Sequence, residues 1–143
     1  MTEVIVYALA GLSLGAVVST ASPDFAPSAV LDRFAQIEPK ILLAARSYSY
    51  AGKKFDCLEI LNEIAACLET VTKTVLIADT SENFSTFNQW IAPFKGATSS
   101  FAKLPFDHPG FVLFSSGTTG KPKCIIHSGA GILLKVAAEH HYQ

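Results

Sequence analysis

Apolar residues in this chain alternate between runs with helical spacing and short continuous blocks, and that alternation predicts its elements. The opening run from Val4 to Val18 reads as a buried helix ending near Gly11 or Gly15, followed by a strand over Ala16-Val17-Val18-Ser19. After the loop Ser22-Pro23-Asp24-Phe25-Ala26-Pro27, the positions Val30, Leu31, Phe34 and Ile37 mark a helix from Ser28 that Pro39 stops after Glu38. Lys40 to Ala45 is a block expected of a strand buried on both faces. Ser47 to Lys54 reads as a turn, and Asp56 with Glu59 resembles a capping box opening a helix with Leu61, Ile64, Ala65 and Leu68 on one stripe. A further strand over Thr74 to Asp79 and a short helix over Ser85 to Ala92, carrying Phe87, Trp90 and Ile91 as core, follow. Lys95 to Lys103 is a polar linker, and a last helix covers Ile132 to Glu139.

Strand, helix, strand, helix, strand at this spacing implies parallel pairing with right-handed crossovers, hence an α/β fold. The final two strands differ: Phe111-Val112-Leu113-Phe114 and Cys124-Ile125-Ile126 bracket a loop, so they form a β-hairpin with a long tip.

Charge and composition narrow the function classes. Half of the 143 residues are hydrophobic, 16% are charged and the net charge is −1, so no field recruits nucleic acid or an anionic membrane. The opening run is shorter than the roughly 20 residues a bilayer helix needs. Gly11 and Gly15 interrupt it and no Lys or Arg precedes it, which favours a soluble protein. Cys57, Cys67 and Cys124 lie too far apart for a C-x-x-C motif, and an odd count suits a reducing compartment, by default the cytoplasm. Cys57 and Cys67 fall about 80° apart around their helix and read as a core and a surface thiol, not as partners. An initiating Met so close to a buried apolar helix suggests a chain cut from something longer.

The chemistry concentrates in the hairpin tip. Ser115-Ser116-Gly117-Thr118-Thr119-Gly120-Lys121-Pro122-Lys123 packs four hydroxyls, two glycines and two lysines into nine positions, a composition suited to holding an anion. Gly117 and Gly120 can take φ > 0 and turn backbone N–H groups toward one centre. Ser115, Ser116, Thr118 and Thr119 add donors, and Lys121 and Lys123 add charge able to follow a polyphosphate such as ATP. A Walker A loop is excluded: Pro122 follows Gly120-Lys121, Ser115 stands where its first glycine belongs, and a strand follows where it needs a helix. On local chemistry alone, a solvated hairpin tip is an equal alternative. Asp32, Arg33 and Glu38 read as a solvated helix face, and Asp79-Thr80-Ser81 as a strand exit. Glu139-His140-His141 lacks chelating geometry, so no metal site is assigned.

Ser115 to Lys123 resembles the signature loop of the adenylate-forming superfamily, which holds acyl-CoA synthetases, luciferases and peptide-synthetase adenylation domains. Ser22 to Phe25, Val30 to Lys40, Pro105-Phe106-Asp107-His108-Pro109 and Lys123 to Ser128 are similar to its acetoacetate-activating branch, whereas acetate-activating members usually carry Gly at the place of Cys124. Where the family tends to have adjacent glycines, Ala130 separates Gly129 from Gly131. The resemblance implies part of the large N-terminal domain, acetoacetate, ATP and coenzyme A as substrates, Mg2+ as cofactor, and a ligase working through an acyl-adenylate. Its adenine-contacting segments and adenylation lysine lie beyond Gln143, so the implied role of residues 1–143 is to hold ATP phosphates, with no catalytic residue of its own. The chain would pack against the remainder of the enzyme and be inactive alone. His127 would line the nucleotide or acyl pocket, with a structural histidine the equal alternative. The remaining readings are a ligase for acetate or another short acid, and a truncated non-catalytic product.

Overall fold

The structure is a computed structural model that describes residues 2–77, 82–116 and 120–142. In chain order it contains α1 (Thr2–Ser13), α2 (Pro27–Phe34), β1 (Ile41–Ala45), β2 (Ser47–Tyr50), β3 (Lys53–Asp56), α3 (Leu58–Cys67), β4 (Lys73–Ile77), β5 (Ser85–Thr86), α4 (Phe87–Ile91), β6 (Pro109–Ser115), β7 (Lys123–Ser128) and α5 (Gly129–Tyr142). A 3-10 turn, Ala92–Phe94, follows α4. The chain divides into two units, Ala21–Ala97 and the pair Met1–Thr20 with Thr98–Gln143.

Ala21–Ala97 is built on a three-stranded sheet in the order β1-β4-β5, with both pairs parallel; the β1–β4 pairing is as the α/β reading predicts, whereas the third strand is β5, in a stretch expected to be helix, and not residues 16–19. β4 is its central strand. Its adjacent residues Val75 and Leu76 point to opposite faces and both have 0% exposure, as burial on both faces of a parallel strand requires. Leu61 and Ile64 of α3, Val30 and Phe34 of α2, and Leu42 and Phe87 are buried with them. Both-face burial expected of Lys40 to Ala45 is not met: β1 lies at the sheet edge, and of its residues only Leu42 is buried.

Three local departures have physical causes. α2 ends at Phe34 instead of Glu38, because the chain tightens into i→i−3 bonds, Gln36 N–H to Arg33 O (3.1 Å) and Ile37 N–H to Phe34 O (3.1 Å). Glu38 then leaves the helical region at φ 47, immediately before Pro39. Ser47 to Lys54 is not merely a turn but part of an antiparallel hairpin, β2 with β3, whose Tyr48 and Phe55 rings stack at 5.1 Å. At α3 the expected box does not form: Cys57 occupies the N-cap without a side-chain cap bond, and Asp56 Oδ1 accepts from Leu58 N–H at 2.8 Å instead of from Glu59. That backbone bond, assisted by Arg46, holds the Asp56 carboxyl below its usual range. Cys57 is buried and Cys67 exposed, as read from their spacing; burial first, then the Asp56 charge, pushes the Cys57 thiol up. A complete capping box forms instead at α4, between Thr86 and Gln89. The strand expected to reach Asp79, and the candidate exit Asp79-Thr80-Ser81, extend outside the described residues.

The β2–β3 connection is Ala51-Gly52 at φ 48 and φ 75, the pair of positive values that a type I′ turn demands. Alanine is the wrong residue at the first position. Ala51→Asn is expected to raise stability by up to about 1 kcal/mol, read from denaturant midpoints at unchanged m-value.

Candidate functional site

The hairpin lies in the unit formed by Met1–Thr20 and Thr98–Gln143. β6 and β7 pair antiparallel in the register Phe111↔His127, Val112↔Ile126, Leu113↔Ile125, Phe114↔Cys124 and Ser115↔Lys123. The stretch after Ser115 is therefore bracketed by two paired strands, β6 ending at Ser115 and β7 starting at Lys123. Ser115 and Lys123 face each other across its mouth, Ser115 half-buried and Lys123 exposed. Ser116, Gly120 and Lys121 are also exposed. Gly120 adopts φ 151, a value that residues with a Cβ rarely reach. Gly117, Thr118 and Thr119 lie outside the described residues.

Directly opposed residues in an antiparallel pair share a face. Ser115 and Lys123, Leu113 and Ile125, and Phe111 and His127 thus form three successive rows on one side of the hairpin. His127 is four residues from Lys123, or about 14 Å along the strand, so it is not brought to the loop. Between them the half-exposed pair Leu113 (43%) and Ile125 (44%) makes an apolar step.

The base of the hairpin is held from two directions. Residues 16–19 were expected to be a strand; they contribute one parallel bridge, Val18 with Phe111, flanked by Val18 N–H to Gly110 O (2.8 Å) and Val112 N–H to Val18 O (2.9 Å). The Ser19 hydroxyl donates to Val112 O at 2.8 Å. On the other side β7 runs directly into α5, which starts at Gly129, three residues earlier than its apolar pattern indicates. Ser128 Oγ caps it by accepting from Gly131 N–H at 3.1 Å, and a Cβ on Gly131 would lie 2.7 Å from that oxygen. Ala130 fits the first helical turn, so separated glycines are compatible with this path. Gly110 packs so tightly on Gly129 that a Cβ there would stand 2.6 Å from the Gly129 Cα and 2.8 Å from its nitrogen. Sequence reasoning missed Ser19 and Gly110; an isolated glycine inside a strand was the available signal for the second.

The opening helix is not buried as expected. No residue of α1 is buried, and Ile5 and Leu9 are each 63% exposed. Its apolar residues surround the helix, so packing on one side leaves others facing out.

The donor types suit a polyphosphate: hydroxyls and ammonium groups, of which Ser116, Lys121 and Lys123 are exposed. They do not suit a divalent cation, since Pro109 to Ser128 contains no carboxylate. Among the described residues no group of three or more His, Cys, Asp or Glu could hold a metal ion, and no helix is long and apolar enough to cross a membrane.

The chain is 42% identical over 149 residues to an acetoacetyl-coenzyme A synthetase of Rhizobium meliloti (strain 1021), an alignment covering 99% of this chain and 23% of that protein. Its fold matches the solved acetoacetyl-CoA synthetase from Streptomyces lividans at TM-score 0.84 and 33% identity, over 94% of this chain and 21% of that one. A red-emitting luciferase from Phrixothrix hirtus shares the fold alone, at TM-score 0.76 and 15% identity, over 94% of this chain and 25% of that one. The chain thus spans about a fifth to a quarter of the length of the relatives it matches. The family model for AMP-binding enzymes matches residues 1–143, and this chain belongs to that family.

Proposed function

We propose that the chain is part of the large N-terminal domain of an ATP-dependent acid–thiol ligase that converts acetoacetate and coenzyme A to acetoacetyl-CoA, and that residues 115–123 hold the ATP phosphates. The observation that carries this reading is the pairing of Ser115 with Lys123 at the two ends of a hydroxyl- and glycine-rich stretch, in a chain similar to acetoacetyl-CoA synthetases. In the first half-reaction the acetoacetate carboxylate attacks the α-phosphorus of ATP in line and pyrophosphate leaves. The coenzyme A thiol then displaces AMP from acetoacetyl-adenylate.

This chain's share is electrostatic. Ser115, Ser116, Thr118, Thr119, Lys121 and Lys123, together with Gly117 and Gly120, orient the β- and γ-phosphates and offset the charge that develops as pyrophosphate departs. His127, a strand's length behind the loop and beyond Leu113 and Ile125, belongs to a nucleotide or acyl wall, not to the phosphate cradle. No step is assigned to Mg2+ through these residues, whose donor chemistry does not fit it.

Exposed apolar residues on α1 and α5, among them Ile5, Leu9, Leu133 and Leu134, form surface for the remainder of the enzyme. None of the three cysteines is in a disulfide and two of them are exposed, which suits a reducing compartment, and we place the protein in the cytosol. The full-length polypeptide is expected to release AMP and pyrophosphate with acetoacetate, ATP and coenzyme A at a kcat/KM at least about tenfold above that with acetate. Equal use of acetate would make it a general short-acid ligase, and absence of AMP formation with any acid would refute the reading. Residues 1–143 alone are expected to form no thioester.

A further inference from the structure

We infer that His108 is a positioning residue, whose side-chain hydrogen bond sets the base of the phosphate-loop hairpin. His108 immediately precedes β6. Pro109, the first residue of that strand, has no N–H, so the corner cannot be secured by a backbone donor there. The imidazole performs that task. His108 Nε2 stands 2.9 Å from the carbonyl oxygen of Gly15, and since a carbonyl only accepts, Nε2 carries the proton and donates. The backbone of the same residue binds two further segments: its N–H donates to Pro105 O at 3.1 Å, and its carbonyl accepts from Gly129 N–H, the first residue of α5, at 3.1 Å.

The bond from His108 fills a gap in a longer lacing. Ala102 N–H donates to Ser13 O (2.8 Å), and the next backbone bonds joining these two segments are those of Val18 to Gly110 and Val112. Between Ser13 and Val18 the imidazole supplies the connection. Gly15 is shaped for it, at φ +84 and at a place where a Cβ would stand 3.0 Å from Leu104 Cδ2 and 3.6 Å from His108 Nε2. From this base β6 and β7 pair without interruption from Phe111 and His127 to Ser115 and Lys123, so a displacement at His108 is transmitted to the mouth of the loop. The acceptor is a neutral carbonyl, so what the site requires is an N–H donor of the right reach, not a charge.

The test uses the full-length polypeptide with His108→Ala, His108→Leu and His108→Gln. Glutamine restores a donor, leucine only bulk. Two readouts are taken: amide hydrogen exchange of peptides covering 109–115 and 123–128, and initial rates against ATP concentration, the second resting on the ligase reading above. Ala and Leu are expected to speed exchange in both strands and raise KM for ATP, each by about tenfold, with kcat within about threefold of wild type; Gln is expected to return both to within about twofold. Rescue by Leu equal to that by Gln, or unchanged exchange in the Ala variant, would overturn the inference. Should the wild-type enzyme turn over no acid, the ligase reading fails, and the exchange pattern still decides the role of His108.

Discussion

Lys123→Ala in the full-length polypeptide is expected to lower kcat/KM for ATP by roughly 10- to 100-fold, the loss of about 1.5–3 kcal/mol typical of a hydrogen bond to a charged group. Lys123 is exposed and stands at the end of β7, so its truncation removes no core contact and the melting temperature is expected to stay within about 1 °C. Lys123→Arg keeps the charge but spreads it over a planar fork, and is expected to recover part of the loss. Lys103→Ala, an exposed lysine outside the hairpin, removes the same unit of charge and controls for long-range electrostatics. Thr118→Ala carries the same expectation at smaller size, since it removes one neutral donor. ATP kinetics unchanged in Lys123→Ala would remove the loop from the phosphate site.

Gly110→Ala is expected to cost about 1–3 kcal/mol of stability, through crowding that no rotamer can relieve. The obstruction is the Gly129 backbone, with its Cα and nitrogen 2.6 and 2.8 Å from the place of the new methyl, so the base of the hairpin must open or the start of α5 must move. The converse substitution provides the control. A Cβ on Gly129 would lie 3.8 Å from the Gly110 Cα, an ordinary contact, so Gly129→Ala is expected within about 0.5 kcal/mol of wild type. Denaturant unfolding of both variants gives the comparison, and equal costs would show that the close approach is not what demands glycine at position 110.

The hairpin was legible because two apolar runs bracket a stretch of hydroxyls, glycines and lysines, and β6 and β7 occur where those runs lie. His127 shows the limit of that reading: in sequence it closely follows the loop, but an extended strand carries it about 14 Å away. The β2–β3 hairpin was missed because Ser47-Tyr48-Ser49-Tyr50 alternates over only four residues and its turn begins with Ala51, which is no hairpin signal. Helix ends were missed for a related reason: the last turn of α2 and the first turn of α5 are settled by local hydrogen bonds that apolar spacing does not register.

By itself, the sequence determined the class of fold, the parallel pairing of β1 with β4 and the strand–loop–strand order of the hairpin, because periodicity is a local property. Tertiary structure alone decided which strand is central, since β1 and β4 are similar apolar blocks and only pairing on both sides buries Val75 and Leu76 completely. It also decided how the loop is held. Residues 13–19 and 102–112 are far apart along the chain, and the bonds from His108 to Gly15 and from Ser19 to Val112, like the contact of Gly110 with Gly129, exist only once folding brings those segments within a few ångströms.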